Sequence, residues 1–181
     1  MSSIDTTELI GNGKGSVTVT KLADRTLLYS VNGIILFFDV NARNQIYPTI
    51  YTLSKYPQSL RHIVIHSPVS SYLLRGADLM LPGLATVSGL EGLQVREKVC
   101  IRIVGNPIPF AVGESICSYE GILANNRKGR GFAILHIFKD ELWKTSGSII
   151  PNDGFGDDMI YSIEKENIGS IYGDDDHNHG I

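Results

Sequence analysis

Asn32-Gly33 stands between two apolar runs, Thr26-Leu27-Leu28-Tyr29-Ser30-Val31 and Ile34-Ile35-Leu36-Phe37-Phe38-Asp39-Val40. An Asn-Gly pair accepts positive φ at both positions, which matches the twist of paired strands, so the chain folds back here as a hairpin. Ahead of it, Val17 and Val19 alternate with Thr18 and Thr20, a strand pattern rich in β-branched residues. An antiparallel sheet therefore opens the protein, after a polar stretch over residues 1–15 with four glycine or asparagine positions (11, 12, 13 and 15) that reads as a flexible lead.

The next segment changes period. Tyr47-Pro48 puts proline where a first helical turn tolerates it, and Ile50, Leu53 and Tyr56 recur at helical spacing until Pro57 stops the run. Tyr47 and Tyr51 sit one turn apart beside Ile50, which favours core or interdomain packing over base stacking. Residues 58–68, with Ile63-Val64-Ile65 at their centre, read as a mixed connection, and a second unit starts near Val69. Its most informative stretch is Leu73-Leu74-Arg75-Gly76-Ala77-Asp78-Leu79-Met80-Leu81-Pro82-Gly83-Leu84. The simplest structure for it is a strand entered and left through tight turns: Gly76 for positive φ or close backbone approach, Pro82-Gly83 for a type II turn. Residues 98–104, 109–115 and 132–138 read as further strands, and Ser118 as the cap of one helical turn ending at Ala124. Short strands separated by Gly and Pro turns point to a small barrel.

Charge divides the chain. Residues 1–139 hold 14 Lys and Arg against 9 Asp and Glu, net +5, and residues 140–181 hold 2 against 10, net −8. A mildly basic body suits a nucleic-acid partner, whereas the acidic end repels phosphate. Residues 146–181, poor in periodicity and rich in Gly, Asp, Asn and Ser, read as an acidic linker or tail. No apolar run approaches the roughly 20 residues that span a bilayer. The N-terminus also lacks a basic region leading into an apolar one, so no membrane is expected and the cytoplasm is the expected location.

Two basic clusters are candidate binding elements. Asn125-Asn126-Arg127-Lys128-Gly129-Arg130-Gly131 places three cations within four positions, with glycines that let backbone amides approach a phosphate. A solvated basic loop would look the same. Lys55, Arg61 and His62 form a weaker cluster after the expected helix, equally readable as a soluble face. Arg75 has a competing role as ion-pair partner of Asp78. Catalysis finds little support: HExxH, GxSxG and P-loop patterns do not occur, and neither a cofactor nor a metal is called for. Cys100 and Cys117 lack a CxxC partner and read as buried or semi-buried thiols. His136, between Leu135 and Ile137, reads as a satisfied, partly buried histidine, and His177 and His179 as adventitious ligands at most.

Four ordered motifs carry a resemblance. They are residues 46–53 with Tyr56-Pro57, the run Arg75 to Leu84, Val104-Gly105-Asn106 followed by Ala111-Val112-Gly113, and Lys128-Gly129-Arg130-Gly131-Phe132 running to Leu135-His136 and Leu142-Trp143. Together they resemble the PUA domain, an RNA-binding module, and more specifically the leading region of the ligatin, or eukaryotic translation initiation factor 2D, family and its shorter relative, the T-cell malignancy oncoprotein family. The resemblance implies an α+β, mostly β protein, with a small pre-PUA sheet-and-helix domain over 16–68 packed on a PUA pseudo-barrel over 69–145. That family's leading domain begins with basic, largely helical sequence before the strand matching Ser16, so a first domain with an incomplete face is expected here.

By the same resemblance the chain is a non-enzymatic RNA-binding initiation and recycling factor that docks on the small ribosomal subunit and contacts initiator or deacylated tRNA, or rRNA. Arg75, Gly76, Ala77 and Asp78 carry over as RNA contacts, joined by Arg127, Lys128, Gly129, Arg130 and Gly131, with docking through the first domain and its Lys55, Arg61 and His62. A partner chain or further C-terminal domains would supply an initiation-factor-one-like module. The alternatives are an accessory protein of an RNA-modification system and a protein-interaction module in which the basic loop is incidental.

Overall fold

The computed structural model describes residues 16–156 and Met159. Two sheets organise it. The first is antiparallel in the order β1-β2-β3-β4, with β1 at Val17–Lys21, β2 at Leu27–Val31, β3 at Ile34–Asp39 and β4 at Ile46–Pro48. Its central hairpin turns at Asn32 (φ 50°) and Gly33 (φ 82°), the positive-φ pair expected of Asn-Gly. Asp39 shapes the next turn: its carboxylate accepts from the backbone N–H of Arg43 (3.0 Å), Asn44 (2.8 Å) and Gln45 (3.3 Å). Pro48 ends β4 rather than opening a helix, because Thr49 supplies the cap, accepting from Thr52 N at 3.4 Å, and α1 runs Ile50–Lys55. The Thr49 and Thr52 hydroxyls donate to the carbonyls of Ile35 (2.9 Å) and Leu36 (2.6 Å), which clamps α1 to β3.

The second sheet runs β5-β7-β8-β9-β6, with β5 at Arg61–Ile65, β6 at Leu79–Met80, β7 at Lys98–Ile103, β8 at Ala111–Ser115 and β9 at Arg130–Ile137. Among the described residues only β5 and β7 pair in parallel. A bridge from Ile65 to Leu84 brings the segment after β6 back to β5 and curls the sheet into a barrel-like form around Ile63, Ile101, Phe110 and Phe132. Helices α2 (Ser67–Leu74), α3 (Tyr119–Ala124) and α4 (Glu141–Thr145) fill its connections, with Ser118 capping α3 and Asp140 capping α4. The mostly β architecture expected from the sequence is therefore present.

Two boundaries differ from the sequence reading. Arg61–Ile65, expected within a connection of the first unit, is a strand of the second sheet; its partner lies far along the chain and runs parallel, so no hairpin signal marks it. Within residues 146–159, expected as linker or tail, residues 147–150 are exposed but Phe155 and Met159 pack on the barrel. Phe155 is 4% exposed and meets Phe138 edge-on at 5.2 Å, Met159 is buried, and its carbonyl accepts from Ser67 Oγ at 3.1 Å. A single phenylalanine and, four residues on, the short run Met159-Ile160-Tyr161 among Gly and Asp leave no period to read. Expectations for residues 1–15, His177 and His179 lie outside the described residues.

The sheets share a core. Leu28, Ile35, Phe38, Tyr47 and Leu53 of the first unit pack with Cys100 and Val112 of the second. Tyr47 stacks on Phe38 at 5.5 Å and donates to Glu114 Oε2 at 3.0 Å; burial first, then Glu114, pushes its hydroxyl up to about 12. His136 is buried beside Phe38; its Nδ1 bonds Asp140 Oδ2 at 2.8 Å, but its Nε2 finds no partner among the described residues, so within them the histidine is only half satisfied. Burial alone would raise the Asp140 carboxyl, yet the bond and charge of His136 and the N–H groups of Trp143 and Ile137 outweigh it and hold the carboxyl below its usual value.

Candidate nucleic-acid interface

Helix α2 ends in a hydrogen-bonded stop that presents residues 75–78. Gly76 N–H donates to Leu73 O at 2.9 Å and Ala77 N–H to Tyr72 O at 3.1 Å, with Gly76 at φ +92°, a Schellman closure with Arg75 as its cap. A Cβ on Gly76 would touch nothing within 4 Å, so the conformation and not crowding selects glycine. Pro82-Gly83 behaves differently. It lies in a 3-10 turn, Leu81–Gly83, and a Cβ on Gly83 would lie 2.9 Å from Val69 Cγ1; close packing replaces the expected type II turn.

The second candidate loop lies directly alongside. Met80 pairs with Arg130 and Leu79 with Phe132 across β6 and β9, and Leu81 N–H donates to Gly129 O at 2.8 Å. Arg130 Nη2 forms an ion pair with Asp78 Oδ2, while Asp78 Oδ1 accepts from Ile134 N–H at 2.9 Å. Asp78 thus ties the two loops together and is the partner of Arg130, not of Arg75. Arg75 instead lies 5.1 Å from the ring centroid of Tyr72, an exposed aromatic three residues earlier on α2 that sequence reading passed over. The helical spacing of Tyr72 and Arg75 was its available signal.

The three cations of the 125–131 run separate on folding. Arg127, held at φ 57°, donates through Nη2 to Leu84 O and so anchors the loop. Arg130 is engaged with Asp78, and Lys128 is exposed with no hydrogen bond or ion pair among the described residues. The amides of residues 125–128 donate to the carbonyls of Gly121, Leu123, Ile122 and Asn125, so they are spent internally rather than offered to a phosphate. Gly129 takes φ +95°, and a Cβ on Gly131 would fall on the Leu81 side chain. The resulting face carries Arg75, Lys128 and Arg130 as cations, with exposed Tyr72 and Met80 as apolar surface.

The weaker cluster does not hold together. Lys55 is exposed, 5.3 Å from the Tyr51 ring centroid. Arg61 pairs through Nε with Glu97 Oε1 at 2.7 Å and donates to Gly89 O at 2.8 Å, so its charge is spent inside the second unit. His62 bonds Pro57 O through Nε2 at 2.6 Å and receives Arg102 Nε on Nδ1 at 3.0 Å. Among the described residues, none of the His, Cys, Asp and Glu side chains form a group of three or more able to hold a metal. No helix is long and apolar enough to cross a membrane among these residues either. Burial pushes the Cys100 thiol up to about 12, and raises that of Cys117.

Comparison with known proteins bears on this geometry. The family model described as eIF2D, PUA domain matches residues 60–141, and the Pre-PUA-like domain model matches residues 3–57, which places the divide at the start of β5 and takes the lead into the first domain. Eukaryotic translation initiation factor 2D of Bos taurus is 36% identical over 144 residues, covering 77% of this chain and 24% of that protein; the Homo sapiens protein is 35% identical over the same length. The chain thus spans about a quarter of the length of these relatives. Translation machinery-associated protein 20 of Schizosaccharomyces pombe is 30% identical over 134 residues, covering 73% of each chain. The fold is shared with a hypothetical protein of Pyrococcus horikoshii (TM-score 0.61, 20% identity, 77% of this chain and 89% of that one). A conserved PUA domain protein of Thermoplasma acidophilum is similar (TM-score 0.59, 18% identity, 77% and 89%).

Proposed function

Because this chain belongs to the family of eukaryotic translation initiation factor 2D and translation machinery-associated protein 20, with a pre-PUA domain followed by a PUA domain, we propose that it is a non-enzymatic RNA-binding translation factor. In this reading it acts in the cytoplasm, docks on the small ribosomal subunit and contacts tRNA or rRNA during initiation or recycling. One observation supports the RNA contact above others: the pairing of β6 with β9 and the Asp78–Arg130 bridge put the 75–78 and 128–131 segments side by side. Arg75 and Lys128 there keep their charges exposed, as contact with a phosphate backbone requires. An initiation-factor-one-like module would come from a partner chain or from sequence beyond this region.

The test is binding to purified small subunits and to tRNA across a salt series, for the chain and for the double variant Arg75→Glu/Lys128→Glu. Each lost phosphate contact weakens binding and makes the slope of log affinity against log salt shallower by about 0.7 to 0.9. Weaker, less salt-dependent binding by a variant that melts like the parent is the expected result. Unchanged binding to both RNAs would exclude this face, and salt-independent binding would favour a protein-interaction module.

A further inference from the structure

The outward face of β5 and β7 carries a basic feature that the candidate interface does not include. A pocket of about 360 Å³ opens there, lined by Gln58, His62, Arg102, Gly105 and Pro107. Arg102 is half-buried; its Nε donates to His62 Nδ1 at 3.0 Å and its Nη1 to Asn106 O at 3.3 Å. Both acceptors are neutral, since His62 Nδ1 accepts only when it carries no proton. Among the described residues no carboxylate lines the pocket, and Arg102 forms no ion pair. A guanidinium is therefore held in one plane, in a polar concavity, with its charge uncompensated and N–H groups of both terminal nitrogens unspent.

The wall beside it is equally fixed. Asn106 is fully buried, exchanges two side-chain hydrogen bonds with Asn152 at 3.1 and 2.9 Å, and accepts from Ile108 N–H at 3.0 Å, while Gly105 takes φ 84°. Such preorganisation lowers the entropy lost on binding, and a guanidinium fork matches an anion with several oxygens in one plane. We propose that this pocket is an oxyanion site that receives a phosphodiester of an RNA backbone, at the opposite end of the barrel's strand order from the 75–78 and 128–131 segments. The RNA source rests on the function proposed above; the anion site does not.

The Gln58 side chain is exposed and makes no hydrogen bond among the described residues, so Gln58→Glu places a carboxylate in the pocket at a position that contributes no side-chain bond to Arg102 or His62. Inorganic phosphate is titrated against chloride of equal ionic strength, following the Arg102 Nε–H and Gly105 amide resonances. A short single-stranded RNA is then bound across a salt series. Saturable shifts in the parent and in Gln58→Ala, absent in Gln58→Glu, with a salt slope about 0.7 shallower for Gln58→Glu, are expected. No phosphate-specific shift in the parent overturns the site whatever RNA does. Phosphate shifts with an unaltered RNA slope, or with no RNA binding by the parent, overturn the RNA assignment and leave an anion site; the proposed function falls only if small subunits and tRNA are not bound either.

Discussion

Arg127 precedes Lys128 by one residue and Arg130 follows it by two, yet of the three only Lys128 keeps its charge unspent among the described residues. Substitution should separate them. Lys128→Glu is expected to weaken RNA binding with an unchanged melting temperature, whereas Arg127→Glu should lower the melting temperature, because the Leu84 carbonyl loses its donor and a carboxylate faces it. Thermal melts of the two variants, run beside RNA titrations, check this. His62 gives a pH signature. Burial, against the opposing Pro57 bond and helped by the Arg102 charge, holds its pKa below the usual 6.5. The unfolded chain therefore binds the proton more readily, so the stability tied to neutral His62 is complete above about 6.5 and is lost as pH falls below it. Urea midpoints measured above and below that pH should drop more for the parent than for His62→Gln; equal drops would remove His62 from the acid response.

At the scale of elements, β8 and β9 approach so closely that a Cβ at Gly113 would run into the Ala133 carbonyl oxygen, with its carbon 3.1 Å away. A backbone obstacle cannot rotate aside as the Leu81 side chain opposite Gly131 can. Gly113→Ala is expected to cost about 1–3 kcal/mol or more and to exceed Gly131→Ala, as read from denaturant unfolding. The segment after α4 offers a second case: Phe155→Ala should cost about 3–5 kcal/mol, while a segment acting only as a linker would show no change. These cases also mark what was legible beforehand. Local chemistry was readable: Asn32-Gly33 marked a hairpin, Gly76 a positive φ or a close backbone approach, and Ser118 a cap. Contacts set by remote partners were not, because β5 meets β7 across a parallel crossover, Asp78 meets Arg130 across the fold, and Phe155 and Met159 lie in Gly- and Asp-rich sequence without a periodic pattern. The candidate loops could be named from sequence, but the division of their cations between anchoring and exposure depends on Leu84 and Asp78 lying where they do.

Across the whole molecule, the shared core of Phe38, Tyr47, Leu53, Cys100 and Val112 makes the two sheets mutually dependent, and the Tyr47–Glu114 bond and the 2.7 Å bond from Lys98 Nζ to Ile46 O cross the same boundary. A single cooperative unfolding transition is expected, with Cys100 reacting with a thiol reagent only as the whole chain opens and Cys117, half-buried, reacting earlier. Labelling of Cys100 ahead of global unfolding would show that the first sheet detaches by itself. The contact between Met159 and Ser67 has a further consequence, which concerns order in time. A chain made from its N-terminus at about 5–20 residues per second has produced every strand of the barrel before Phe155 and Met159 emerge to seal it. The nascent protein is then a barrel with an open flank, and chains stalled short of residue 155 should be more sensitive to protease than chains released past 159.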